Sequence, residues 1–403
     1  MKESMRWGRL AAGTLMLLFL GLIYGWSIFK VPFSAIYPEW SISQISLTFT
    51  ISMVCFCIGG FIAGQIIKKI GAAKVIWISA VLLAIGFVGV SFLDPKDSSG
   101  SLIKLYILYG VFCGTGVGMS YNSIVSVING WFADKAGLAS GILMMGFGLG
   151  GLILGSGAIT IVGKIGVLAT FKILGIAIAV VLIIGATFMK IPKEGEAPKK
   201  LAAGGQEAVV VDVAPGEMVK DGRFWLFMLW AVLMNSAGLL VINSAASIAI
   251  AFGAPAVMGL LVSLCNGGGR VVIGGLFDKL GRKITLIINC IVMIAAGVSL
   301  FLGATTSAVA FVLLGLLLVG VGYGGGPTMT SSFVLATFGP KNFPKNFSLA
   351  IFSIVPAAIL GPMISSKLIE ASNGDYTSTF ILIIGLGVAA LVTGIVVNKI
   401  SRD

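Results

Sequence analysis

The stretch CNGGGRVVIGGLFDKLGRK, Cys265 to Lys283, decides how the rest of the chain is read. Its first thirteen residues carry one charge, Arg270, among glycines and aliphatic side chains. Its last six carry four: Asp278, Lys279, Arg282 and Lys283. An apolar segment that ends abruptly in a cationic loop is a helix leaving a bilayer for water. The question it raises is why a permanent positive charge is kept inside the apolar part.

The whole chain repeats the apolar pattern. Of 403 residues, 58% are hydrophobic and only 10% are charged, where a soluble domain carries about a quarter charged residues. Apolar runs of about 20 residues, the length that spans a bilayer as a helix, recur along the sequence. Barrel strands would be short and alternating. We place twelve spans near 8–30, 42–67, 73–93, 102–130, 137–160, 166–190, 223–250, 257–277, 284–303, 307–333, 346–368 and 376–398. The longest polar stretch, rich in Pro, Gly, Lys and Glu, separates the sixth span from the seventh. The expected architecture is an all-α membrane protein of twelve transmembrane helices in two six-helix bundles, 1–190 and 223–403, joined by a linker at 191–222.

The formal net charge of +12 is a consequence of topology. With the N-terminus in the cytoplasm, 20 of the 27 lysines and arginines fall inside and six fall outside (Lys30, Lys96, Lys104, Lys164, Lys172 and Lys367); Arg270 is the remaining one. Such a bias sets both termini and the linker in the cytoplasm and places the chain in the cell membrane. It leaves no reason to invoke a nucleic-acid partner. The first apolar run is too long for a cleavable signal and leads directly into the next span. Histidine is absent, so histidine metal sites, Ser-His-Asp triads and histidine proton relays are excluded. The five cysteines all lie in apolar runs without metal or redox spacing. Neither a cofactor nor an enzymatic activity is expected.

The two halves echo each other. Gly64-x-x-x-Lys68-Lys69-x-Gly71 follows the second span, and Gly274-x-x-x-Asp278-Lys279-x-Gly281-Arg282-Lys283 follows the eighth, 210 residues later. Gly114-x-Gly116-x-Gly118 in the fourth span answers Gly320-x-Gly322-x-Gly324 in the tenth, 206 residues later. Duplicated halves with a site between them are how many secondary transporters are built. The loop after the eighth span resembles the loop signature of the major facilitator superfamily. The run Trp131 to Gly141, WFADKAGLASG, continuing to Gly146 and Gly150, resembles the narrower oxalate/formate antiporter and monocarboxylate transporter group, as does the NGGGR ending at Arg270. The resemblance covers essentially the whole chain. One departure is visible: Lys68 stands where the family loop usually has Asp.

An ionisable group inside a span costs about 2.5–3.5 kcal/mol on insertion scales, so Arg270 calls for a reason. A structural ion pair would need a mid-membrane acid, and all fifteen acids fall in loops, termini or span edges. Snorkelling to the surface is strained, because Lys279 and Arg282 already mark that surface two to three turns on. An unpaired guanidinium facing a cavity needs an anion, and its planar fork matches a carboxylate. The position 210 residues earlier is Gly60, so only one half carries the charge. The resemblance implies the same role: the arginine at this motif position binds the substrate carboxylate.

The other candidates each have a structural alternative. The resemblance implies that Tyr121 and Tyr323, at related positions in the two halves, line the site; they would otherwise pack against glycine. Asn122, next to Tyr121, is either a cavity group or a helix–helix contact. Asn243 sits mid-span in the seventh helix, and Asn266 lies one turn before Arg270 on the same helix face, where it either holds the guanidinium or touches the ligand, or makes an interhelical hydrogen bond. Phe147 matches an aromatic position of the group, although a phenylalanine in a glycine-rich span is usually packing. Lys30, after YGWSIF in the first span, is either an interface lysine or an outer attraction or coupling site for anions. Asp278 and Arg282 are candidates for a cytoplasmic latch.

The resemblance further implies that oxalate-type members hold a second cation in the eleventh span. The matching position here is Ile354. A dianion would then leave one charge unneutralised, which points to a monocarboxylate. The expected protein is a monomeric carrier of a small carboxylate by alternating access, proton-linked, with carboxylate exchange or export of another organic solute as alternatives.

Overall fold

The structure is a computed structural model that describes residues 3–132, 136–192, 196, 212–339 and 341–400. The described residues are helical throughout, with no strand. They contain eleven helices long and apolar enough to cross a membrane: Met5–Ile36, Ile42–Ile70, Ala72–Val90, Ser98–Trp131, Ala139–Ala186, Gly222–Ile242, Ala256–Phe277, Lys279–Thr306, Val309–Phe338, Phe343–Ala371 and Thr377–Ile400. The fifth of these is 48 residues long and reverses at Gly166, where φ is +80°. Its two arms are the fifth and sixth spans, so the crossings number twelve. Gly166 can do this because it has no Cβ to clash at positive φ.

The outer surface of the bundle is apolar. Ile183, Ile184, Ile291, Val272 and Val392 are all exposed, while the interior holds the buried polar side chains Ser46, Asn235, Asn243, Asn266 and Arg270. That inversion of the soluble pattern is what a lipid solvent selects.

Equivalent glycines make equivalent contacts in the two halves. A side chain at Gly114 would collide with the backbone of Ser52, and one at Gly118 with the carbonyl of Phe56. In the second half, Gly320 is pressed against the carbonyl of Val262 and Gly324 against that of Asn266. Val262 and Asn266 lie 210 residues after Ser52 and Phe56; Gly320 and Gly324 lie 206 after Gly114 and Gly118. The same offsets that relate the two halves in sequence therefore relate their packing. The eighth and tenth helices approach as closely as the second and fourth, because small residues let backbones touch. Gly71 and Gly281, also 210 apart, both end their helices at positive φ, +88° and +75°.

Four of the described long helices depart from α geometry, the fourth helix widening over Tyr106–Cys113. The first tightens to a 3₁₀ turn at Gly21–Gly25. The seventh, expected to be continuous over 223–250, stops at Ile242 and resumes at Ala245–Ala251. Asn243 and Ser244, whose side chains meet at 3.4 Å, occupy the break; such side chains offer local bonds that compete with the helix ladder. The eleventh contains a 3₁₀ turn at Ile351–Ser353 and a wide turn at Ile359–Met363, with prolines at 356 and 362. The end of the expected linker from residue 212 packs on the second half: Val213 N–H donates to Phe338 O at 2.9 Å, and Asn346 Nδ2 donates to Val213 O at 3.0 Å.

Candidate functional site

The eighth helix delivers Arg270 to the interior with no solvent exposure at all. Its Nε donates to Asn266 Oδ1, one turn back, at 3.3 Å. Its face lies over the Phe147 ring, 5.6 Å from the centroid. The two terminal nitrogens, Nη1 and Nη2, are buried and have no hydrogen-bond partner. Asn266 thus holds the stem of the group and Phe147 covers its face by a cation–π contact. The edge of the fork that could take a carboxylate in plane makes no hydrogen bond of good geometry, and the Tyr121 side chain lies close enough to interact with it. None of the ion pairs among the described residues involves Arg270.

Aromatic side chains from both halves surround this charge. Phe147 contacts Tyr24 at 5.1 Å and Tyr121 at 4.9 Å between ring centroids, and Tyr121 contacts Phe56 at 5.3 Å. Tyr24 meets Tyr323 edge-on, and their hydroxyls hydrogen-bond at 3.0 Å. Tyr121 and Tyr323 are both within electrostatic reach of Arg270. Gly238 makes room for Tyr323, since a side chain there would overlap the ring.

A narrow cavity lies between the halves against this cluster. Tyr24, Phe56, Tyr121 and Phe147 line it from the first half; Asn235, Pro327, Thr330, Phe347, Ile351, Ser353 and Ile354 line it from the second. Ile354 therefore stands in the wall of the cavity as an uncharged residue.

The structure brings together Arg270, Asn266, Tyr121 and Tyr323, and it gives Phe147 a contact with the guanidinium. Asn122 does not join them. It is buried, with Nδ2 donating to Gly60 O at 2.6 Å and Oδ1 accepting from Ser126, so it ties the fourth helix to the second. Asn243 and Lys30 belong to a second cluster. Lys30 is buried, and its Nζ donates to Ser46 Oγ at 3.0 Å. Asn243 Nδ2 and Ser366 Oγ converge on the same oxygen at 3.2 and 2.9 Å. Two further contacts join the second helix to the eleventh on either side of this hub: Ser43 to Glu370, and Thr50 Oγ1 to Ala358 O at 3.1 Å. Arg282 lies 6.0 Å from the Phe333 ring. The side chain of Asp278 is outside the described residues, as are Asp134 and Lys135 of the run after Trp131. Sequence reasoning missed Tyr24, Phe56, Asn235, Ser353, Ser46 and Ser366. The one available signal was the row of polar residues in apolar runs, which does not tell a cavity wall from a helix contact.

Residues 15–349 match the family model of the Major Facilitator Superfamily. The chain belongs to that superfamily. It is 28% identical over 354 residues to the uncharacterized MFS-type transporter YhjX of Escherichia coli K12, covering 86% of this chain and 84% of that one. It is 26% identical over 385 residues to the oxalate:formate antiporter of Oxalobacter formigenes, covering 94% and 88%. Its fold is similar to the partially occluded inward-open xylose transporter XylE of E. coli, with a TM-score of 0.76, 17% identity and 97% coverage of both chains. As a member of this superfamily with transporter relatives, it is a multi-pass membrane transporter rather than an enzyme.

Proposed function

We propose that this superfamily member is a secondary active transporter of small monocarboxylates such as lactate, pyruvate, formate, acetate or glycolate. The observation that carries the reading is the open edge of Arg270: a fully buried guanidinium with Nη1 and Nη2 unpartnered. A buried charge left in that condition is costly, and a bound carboxylate removes the cost. Ile354 in the cavity wall supports one carboxylate rather than two. The relative from Oxalobacter formigenes is named for an oxalate:formate exchange, so carboxylate-for-carboxylate exchange is the alternative mode.

The proposed cycle is alternating access. The anion enters between the halves, pairs with Arg270 and contacts Tyr121 and Tyr323. The bridged halves then rock about the site, the first six spans and the last six moving as two units joined by the linker at 191–222. The termini face the cytoplasm, the protein works as a monomer in the cell membrane, and Asp278 and Arg282 contribute to the cytoplasmic latch. Lys30 is the candidate coupling group, being a buried lysine in the Ser46 cluster between the halves and within electrostatic reach of Glu370.

Uptake of radiolabelled lactate into proteoliposomes, with and without an inward proton gradient, tests the reading. Gradient-stimulated uptake that is lost in Arg270→Gln supports proton-linked symport, and loss of the stimulation alone in Lys30→Gln assigns the coupling. Uptake that needs a carboxylate inside and ignores the gradient means exchange. No uptake of lactate, pyruvate, formate or acetate in any condition rules out the monocarboxylate reading.

A further inference from the structure

The cavity lined by Tyr121 and Phe147, the two rings next to Arg270, also has a polar wall. Asn235, on the seventh helix, is 2% exposed and lines the cavity wall. Its Nδ2 donates to Ser353 Oγ at 3.4 Å, whereas its Oδ1 has no partner. The neighbouring hydroxyl is already engaged: Thr330 Oγ1 donates to Gly326 O at 2.9 Å. Pro327, in the same wall, has no N–H, so the carbonyl of Tyr323 one turn earlier lacks its usual intrahelical donor. This wall therefore holds an unpartnered acceptor, Asn235 Oδ1, beside the Ser353 hydroxyl, which accepts from Asn235 and keeps its own proton to donate. The rest of the lining includes the apolar faces of Phe56, Phe147 and Ile351, and Phe147 is the ring that lies against the guanidinium.

We infer that Asn235 selects a hydroxylated monocarboxylate, its amide taking the hydroxyl of a short hydroxy acid whose carboxylate sits on Arg270. The inference rests on the monocarboxylate reading and narrows it. A buried acceptor left empty costs free energy, and a substrate hydroxyl fills it. If the amide is turned over, the unpartnered group becomes an NH2. A hydroxyl, donor and acceptor at once, satisfies that arrangement as well. A hydrogen atom in the same place satisfies neither, which is how sites built around a hydroxyl reject the analogue without it.

The test compares acids that differ only in that hydroxyl: lactate against propionate, and 3-hydroxybutyrate against butyrate, in proteoliposomes of the full chain. Wild-type protein should favour at least one hydroxy acid over its partner by about tenfold or more in kcat/KM. Asn235→Leu should erase most of that preference through a higher KM for the hydroxy acid, while uptake of the plain acid persists and reports an intact fold. Asn235→Ala, with less apolar bulk, should do the same. A packing role would instead lower both members of a pair together and leave their ratio unchanged, which overturns the inference. Wild-type protein that takes the plain acids as readily as the hydroxy acids overturns it alone. Wild-type protein that moves no monocarboxylate overturns both this inference and the reading it rests on.

Discussion

The hydroxyls of Tyr24 and Tyr323, 299 residues apart, hydrogen-bond at 3.0 Å where the two halves meet. Tyr24 comes from the 3₁₀ turn of the first helix, and Tyr323 from the glycine-rich tenth helix. Both rings are buried against the cluster that surrounds Arg270. Tyr323→Phe keeps the ring and removes the hydroxyl. Interhelical hydrogen bonds in membranes average about 0.6 kcal/mol, so the thermal midpoint in detergent should barely move. Uptake should fall about tenfold if the hydroxyl also meets the substrate. Stability and initial-rate assays on one preparation separate the two effects.

Asn266 positions Arg270 through the bond from Nε at 3.3 Å. Asn266→Ala should raise the KM for the carboxylate about tenfold, because the fork loses its fixed orientation. Arg270→Lys should not rescue transport, since an ammonium is a point charge without the planar fork. An active Arg270→Lys protein would mean that Arg270 supplies charge alone.

Glu370 of the eleventh helix accepts from the backbone N–H and the hydroxyl of Ser43, at 2.8 and 2.7 Å. Ser43 sits in the first turn of the second helix, just after its N-cap Ser41, so the carboxylate meets the positive end of that helix. The contact joins the second and eleventh helices at the end opposite the termini, where we expect it to act as a gate. Glu370→Gln should loosen it. In a background without the native cysteines, Ser46→Cys should then react several times faster with an impermeant maleimide added from that face. Unchanged labelling would remove Glu370 from the gate.

The glycine triplet before Arg270 separates close packing from open space. A methyl at Gly269 would lie 2.7 Å from the backbone of Val321, whereas one at Gly268 meets nothing within 4 Å. Gly269→Ala should destabilise by about 1–3 kcal/mol, as overpacked sites do. Gly268→Ala should be neutral or stabilising by up to about 1 kcal/mol, the gain in helix propensity. Thermal unfolding in detergent reads both. Equal effects would contradict the packing.

Much of this was legible along the chain. Twelve spans and the two offsets of 210 and 206 residues follow from hydropathy and glycine spacing, because a bilayer admits only satisfied helices of a set length. Arg270 was legible too, since its cost in a span has no acid to offset it. Asn122 shows where such reading stops. Its neighbour Tyr121 enters the cluster, while one step round the helix, about 100° on, Asn122 faces Gly60 and bonds its carbonyl. Sequence marks both as polar or amphipathic groups in an apolar run and does not say which one faces the space between the halves.

The sequence by itself determined the class of molecule, the number of crossings, the duplication and the presence of Arg270 as a cation in a span with no acid to pair it. These depend on local composition and on a solvent whose demands are uniform along a span. Only the tertiary structure decided what surrounds that cation. The face of Arg270 rests on Phe147 from the fifth span, its stem on Asn266, and its aromatic neighbours come from the first, second, fourth and tenth spans. The Lys30 hub likewise draws on the first, second, seventh and eleventh. Such sites are set by how helices far apart in the chain are rotated and pressed together, and the breaks at Gly21–Gly25, Asn243–Ser244 and Ile351–Ser353 adjust that rotation locally.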